Sequence, residues 1–150
     1  MQGFDYSRAL IALQCCGAAL ASPGESRAYV KDRHAFGRPI GQFQGASFPL
    51  AEGEPIIEAV RQLSYHTLAL READLPHTAQ AAMSKWMGPR HASDTIYQCL
   101  LAHGHCGYST ASPHQQRMRD VMGLEIGDGT ADVMKQIIAR QTVGRAAVPY

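Results

Sequence analysis

The sequence predicts an all-α protein, an antiparallel, up-down four-helix bundle. Apolar residues recur at three- and four-residue spacing through several long stretches. Alanine and the six methionines abound, whereas β-branched residues are few. Turn-forming residues gather in short clusters that leave only brief links between the stretches, as an antiparallel bundle requires. With 150 residues and 45% hydrophobic content, the chain is long enough for one domain with its own core.

The first helix opens near Asp5, which fits an N-cap, and Leu10, Leu13, Gly17 and Leu20 follow helical spacing. The pattern resumes through Arg27, Val30 and Arg33. Between them, Ser22-Pro23-Gly24-Glu25 reads as a capping box with Pro at the first helical position. Pro and Gly inside one helix cost about 4 kcal/mol by propensity, so a break and restart, or a kink, is expected there. After Phe36-Gly37-Arg38-Pro39 comes a connection of about ten residues.

A second helix is expected from Phe48-Pro49 to Ala73, burying Ile56, Ala59, Val60, Leu63, Thr67 and Leu70, and Asp74-Leu75-Pro76 stops it. A third is expected from His77 to His103, with Met83, Trp86, Ile96 and Leu100 on one side and a bend at Gly88-Pro89. A glycine-containing loop over residues 103–112 follows, then a short helix from Pro113 to Val121. The last helix starts at Gly129-Thr130 and turns Val133, Met134, Ile137 and Ile138 inward. No segment carries the two-residue period of a strand.

The formal net charge is +1, with Arg and His dispersed along the chain, which excludes the basic patch of a nucleic-acid binder. No apolar run reaches membrane-spanning length. The first residues lack the charged and apolar regions of a signal peptide. Four cysteines, including the adjacent pair Cys15-Cys16, show no paired CxxC spacing, and this fits reduced thiols in a cytoplasmic protein. Cys99, His103, His105 and Cys106 crowd one short loop, a spacing that seldom lets four ligands converge on a metal, and none is assigned.

The tightest local signal is Ile126-Gly127-Asp128-Gly129-Thr130, directly before the last helix. Glycine on either side removes bulk beside an ionisable carboxylate, so a flat ligand could approach it closely. The helix N-terminus and the Thr130 hydroxyl favour negative charge there. The same residues also read as an ordinary Asp-Gly turn.

Other segments join this one in order: Phe4-Asp5-Tyr6-Ser7-Arg8, Asp32-Arg33-His34-Ala35-Phe36-Gly37, Gln44-Gly45-Ala46-Ser47-Phe48, His103-Gly104-His105-Cys106-Gly107-Tyr108, Met118-Arg119-Asp120 and Ile137-Ile138-Ala139-Arg140. Together they resemble the C-terminal helical domain of the acyl-CoA dehydrogenases, FAD enzymes that oxidise acyl thioesters, and the resemblance covers almost the whole chain. Relatives also carry an N-terminal helical and a middle β domain. Residues 1–150 therefore read as the C-terminal helical domain alone, a portion of a longer protein or a separately produced module.

The resemblance implies FAD contacts from Arg33 and Phe36, reaching a cofactor held by a neighbouring subunit, and from Gln44, Gly104 and Thr130. It implies that Asp128, where relatives usually carry Glu, removes the proton α to the thioester carbonyl. Asp5, Arg8 and Gly129 fall on the substrate side. Some relatives place the base next to the Arg matched by Arg8, where this chain has Ser7, a residue that cannot serve. Asp128 is one methylene shorter than Glu, which points to a differently placed acyl group, alicyclic or branched. Relatives of the cyclohexanecarboxyl-CoA type are similar in using Asp. An acyl-CoA substrate, an electron-transfer flavoprotein as electron acceptor and a homodimer or homotetramer are further implications. The competing reading is a non-catalytic helical oligomerisation domain or inactive partner subunit.

Overall fold

A computed structural model describes residues 2–144 and 146 of the chain. The helices are α1 (Gln2–Asp32), α2 (Gln44–Glu72), α3 (Thr78–His103), α4 (His105–Tyr108), α5 (Pro113–Ile126) and α6 (Ala131–Thr142). Between α1 and α2 lie β1 (His34–Ala35), β2 (Arg38–Pro39) and a 3₁₀ turn, Ile40–Gln42. Helix α3 is the central element and packs against α1, α2, α5 and α6. The all-α bundle expected from periodicity is the observed architecture, and the main core joins Cys15, Cys16 and Ala19 of α1 to Ile57 and Val60 of α2, Ala92 and Ile96 of α3 and Val121 of α5.

Helix α1 corrects three expectations. Its buried face is Ala9, Ala12, Cys15, Cys16 and Ala19, while Leu10 is 39% exposed and Gly17 faces solvent. The reason is the closeness of α3: a Cβ on Gly88 would lie 2.7 Å from Ala12 Cα. Only small side chains fit that seam, so residue volume rather than hydrophobicity selects the face. The expected break at Ser22-Pro23-Gly24-Glu25 does not occur, because α1 runs through it unbroken with Pro23 inside and buried. Tertiary burial of Ser22, Pro23 and Ser26 overrides local propensity there. Asp5 is likewise not an N-cap, since α1 begins at Gln2 and Asp5 lies within its first turns.

Helix α2 starts four residues earlier than Phe48, where the extended Phe43 offers its carbonyl to the Ala46 and Ser47 N–H groups. Its buried stripe is Leu50, Gly53, Ile57, Val60, Ser64 and Thr67. The expected Ile56 is 41% exposed and Ala59 faces solvent. Ser64 and Thr67 are tolerated inside because each hydroxyl donates to the carbonyl four residues back, at 2.8 Å. Helix α3 runs unbroken through Gly88-Pro89. Helix α5 continues five residues past Val121 before Gly127 ends it, and Ser112 caps its start by accepting from the His114 N–H. Met134 is the buried residue of α6, whereas Val133 is 42% exposed.

The short β1–β2 hairpin was invisible to strand periodicity because two residues per strand cannot show a period. Its turn residues, Phe36 (φ 53°) and Gly37 (φ 81°), both lie at positive φ, the geometry of a tight two-residue hairpin.

Candidate active site

The start of α1, the start of α3 and the α5–α6 turn meet at one end of the bundle. In that turn Asp128 (φ 60°) and Gly129 (φ 110°) are consecutive left-handed residues. Asp enters this region more readily than bulkier residues, while φ near 110° suits glycine alone. The turn points the Asp128 carboxylate back at α1, where the Ser7 hydroxyl donates to Oδ2 at 2.5 Å.

One turn away on α1, Asp5 is 2% exposed and fully engaged. Its Oδ1 accepts from Arg8 Nη1 at 3.0 Å, and its Oδ2 from Thr78 Oγ1 at 2.8 Å. This pins the Arg8 guanidinium, whose Nε is buried without a partner among the described residues. Beneath the turn, Lys85 of α3 is 1% exposed, and its ammonium donates to the carbonyls of Gly129 at 2.9 Å and Glu125 at 3.4 Å. Burial holds the Lys85 pKa below the usual lysine range, although the Cys15 thiol, Asp128 and Glu125 pull it upward.

A cleft of about 750 Å³ opens over these groups. Asp128, Asp5 and Thr78 line it, Arg8 and Arg140 supply cations, and Phe4, Val133 and Ile137 supply an apolar wall. The arrangement gives a carboxylate held by one hydroxyl, beside an apolar chamber with positive charge available. Such an arrangement can accept a proton from a molecule bound against the apolar wall.

Of the residues singled out by sequence, Asp5, Arg8, Asp128 and Gly129 converge here. Thr130 is adjacent but outside the cleft lining; it caps α6 by its backbone, and its hydroxyl makes no cap bond, contrary to expectation. Sequence reasoning missed Lys85, Thr78 and Arg140. Lys85 carried one readable signal, a lone cation in the register of Ala81, Ala82, Gly88 and Pro89, all buried.

Arg33, Phe36 and Gln44 stand elsewhere. Arg33 follows α1 directly, and at about 1.5 Å per helical residue it lies on the order of 40 Å from Ser7. All three side chains are exposed, and Phe36, at 95%, is no core residue. Among the described residues Arg33 makes no salt bridge, while Arg38 lies 4.1 Å over the Phe43 ring and Phe36 meets that ring edge-on at 6.1 Å. A second cleft, about 470 Å³, runs beside this hairpin between α1 and α2, lined by Val30, Pro39 and Leu50. Gly104 ends α3 at φ 57° and ψ −131°, a conformation glycine adopts at least cost, so it serves the chain reversal into α4.

A separate polar cluster ties α1 to α3 and α5. Arg117 grips Glu25 with two bonds of 2.7 and 2.8 Å, which holds the Glu25 carboxyl below the usual range. The buried His114 ring lies against His103 at 4.5 Å, and His103 stacks on Tyr29 at 4.2 Å. Cys99 is buried in the core, Cys106 is exposed and His103 is stacked, so these do not form a ligand set. Burial raises the thiols of Cys15 and Cys16 to about 12 and about 11, which leaves them unreactive.

Comparison with known proteins gives a consistent result. A family model described as the acyl-CoA dehydrogenase C-terminal domain matches residues 1–143. A short-chain specific acyl-CoA dehydrogenase of Clostridium acetobutylicum is 36% identical over 139 residues, covering 93% of this chain and 37% of that protein. The mitochondrial short-chain specific enzyme of Rattus norvegicus is 33% identical, with 93% and 34% covered. Among solved structures, butyryl-CoA dehydrogenase from Megasphaera elsdenii superposes with a TM-score of 0.92 at 31% identity, over 95% of this chain and 37% of that one. A structure of the electron transferring flavoprotein of Acidaminococcus fermentans matches with a TM-score of 0.88 at 31% identity, over 92% and 36%. The chain thus spans little more than a third of the length of the proteins it matches.

Proposed function

The chain belongs to the acyl-CoA dehydrogenase family, whose C-terminal helical domain it matches, and from that premise we propose that it supplies the base end of a flavin-dependent α,β-dehydrogenation of an acyl-CoA thioester. The observation that carries this reading is the Asp128 carboxylate, fixed by Ser7 at 2.5 Å on the rim of an apolar-walled cleft.

In this mechanism Asp128 accepts the α-proton of the bound thioester. The Ser7 hydroxyl fixes which carboxylate oxygen stays free, since it occupies Oδ2. The Asp5–Arg8–Thr78 unit forms a rigid polar floor, and Phe4, Val133 and Ile137 keep water from the reacting carbons. Arg140 offers charge to the phosphorylated part of the thioester at the rim. FAD, when bound, supplies the hydride acceptor for the β carbon.

Arg33, Phe36 and Gln44 suit a flat, anionic cofactor chemically: a guanidinium with no salt bridge among the described residues, an exposed aromatic and an exposed amide. Their separation from Asp128 means that one copy of this chain cannot present both sets to one flavin. Supplying FAD contacts to a neighbouring copy in a dimer or tetramer resolves this. The similarity to butyryl-CoA dehydrogenase and to the electron transferring flavoprotein structure supports an acyl-CoA substrate and such a flavoprotein as electron acceptor. The short arm of Asp128, about one methylene or 1.5 Å less than Glu, together with the Ser7 tether, favours an alicyclic or branched acyl group brought close to α1.

The test is Asp128→Asn in the FAD-loaded enzyme containing this chain. Flavin reduction by acyl-CoA is expected to fall at least about a hundredfold, with FAD retained. Undiminished reduction overturns the assignment.

A further inference from the structure

Lys85 is the residue that the proposed chemistry does not touch and that the fold has least reason to bury. Its side chain is among the largest fully buried ones in the chain. Among the described residues no carboxylate lies at hydrogen-bond distance from it, which is unusual for a buried lysine, because desolvating an ammonium is unfavourable unless strong acceptors replace water. Here the acceptors are two backbone carbonyls, Gly129 O at 2.9 Å and Glu125 O at 3.4 Å.

Those carbonyls bracket Asp128. Glu125 O belongs to the last turn of α5, where carbonyls have no helical partner and carry the negative end of the helix dipole. Gly129 O lies on the far side of the left-handed pair Asp128–Gly129. One ammonium therefore fastens both ends of the segment that aims the carboxylate. The φ of 110° at Gly129 favours glycine there, since residues with a Cβ rarely adopt it, and an added Cβ would also press on the Met134 methyl at 2.6 Å, which that flexible side chain would have to move.

We propose that Lys85 is a positioning residue for Asp128: its ammonium clamps the Glu125 and Gly129 carbonyls and so holds the α5–α6 turn in the left-handed conformation that presents the carboxylate to Ser7 and the cleft. Lys85 acts through the turn and takes no part in proton transfer. The clamp explains how a turn with two consecutive positive-φ residues stays fixed at the bundle surface. It rests on the reading of Asp128 as the base only for its catalytic meaning; the clamp itself is a statement about the turn.

The test uses isotope-labelled full chain in solution. In Lys85→Met, a substitution of similar length without charge, NMR should show loss of the positive-φ signature at Asp128 and of the Ser7–Asp128 contact, with the helical signals of α1 and α3 retained. A second measurement needs no variant. As pH rises and the Lys85 ammonium loses its proton, at a lower pH than an ordinary lysine, the carbonyl carbons of Glu125 and Gly129 should shift in step with it. If Lys85→Met keeps the Asp128 conformation, the proposal is overturned. If that variant does not fold, the wild-type titration decides, and carbonyls silent to the lysine overturn it equally. Neither readout depends on flavin reduction, so failure of the Asp128→Asn experiment leaves this one standing and the reverse.

Discussion

The two ends of α1 are built on opposite principles. At its start, the Ser7–Asp128 pair and the Asp5–Arg8–Thr78 set line the same cleft, each held by side-chain hydrogen bonds, with Lys85 beneath. At its end, Arg33 and Phe36 stand in solvent on a hairpin held by two strand residues a side. The first end is preorganised, as the proposed base requires, since groups that hold a reacting atom to within a fraction of an ångström must be set before substrate arrives. The second end exposes a cation, Arg33, with no salt bridge among the described residues, and an aromatic, Phe36, that meets only the Phe43 edge among them. On the proposed reading, the contrast separates a half-site that the chain holds by itself from one that it offers outward, to a molecule that brings the remainder.

If that contrast is right, changes at the closed end must damage the fold itself. The largest effect is expected from Asp5→Leu, which strips a buried carboxylate from both Arg8 and Thr78. Leaving the Arg8 charge uncompensated should lower stability by about 3 to 5 kcal/mol, read from the urea midpoint of the chain. A loss below 1 kcal/mol would break the comparison, because the end would then be no more interlocked than a surface.

Next in size is Gly88→Ala, which tests the seam that brings α1 and α3 together beneath the site. A methyl there meets Ala12 at 2.7–2.8 Å from backbone and side chain. Overpacking of this kind should cost about 1 to 3 kcal/mol. A neutral result would mean that the two helices part without penalty, and the close packing used above to explain the small-residue face of α1 would fail.

A smaller effect separates the middle of α1 from both ends and depends on pH. Burial first, then the neighbouring His103 charge and Arg117, lower the His114 pKa, while Glu25 pulls the other way. His114 is therefore neutral in the folded chain where the unfolded chain already binds a proton. The unfolded state binds more protons in the window beginning near the ordinary histidine value of about 6.5. Stability should accordingly fall as pH drops below about 6.5 and level off once the folded pKa is passed. His114→Phe should flatten that slope, as measured by denaturation at a series of pH values. Glu25 acts in the same direction at lower pH, since its lowered carboxyl pKa also makes the unfolded chain bind more protons as pH falls, and its exposure keeps that share small.

These effects also mark what the sequence could and could not disclose. Helix existence was legible because α2, α3 and α6 repeat their apolar residues at helical spacing. Which face is buried was not, where closeness rather than hydrophobicity decides: Ile56 was expected inside and Ile57 is. The Ser22-Pro23-Gly24-Glu25 segment carried a strong local stop signal that burial of Ser22 and Pro23 overrode. In the candidate site, the glycine pattern drew attention to Asp128, whereas Asp5, Arg8 and Gly129 were singled out only by the resemblance to the family; the structure brings the four to one cleft. Thr78 and Lys85 were not singled out, since their roles exist only once α3 lies under the α5–α6 turn, many residues away in sequence.

The smallest stability change should come from the open end, and it sharpens the comparison most. Arg33→Ala and Phe36→Ala remove side chains that are exposed and make no core contact, so each should alter folding stability by no more than about 0.5 kcal/mol. In the FAD-loaded assembly the same substitutions should weaken cofactor retention, measured as flavin lost on gel filtration, because guanidinium and aromatic contacts to an anionic, planar group disappear. Asp128→Asn should show the reverse pattern, with flavin retained and turnover lost. Should the Arg33 and Phe36 variants hold flavin as firmly as the parent, the outward half-site is not one. Should they lose stability instead, the hairpin belongs to the fold and the division between a closed end and an offered end falls.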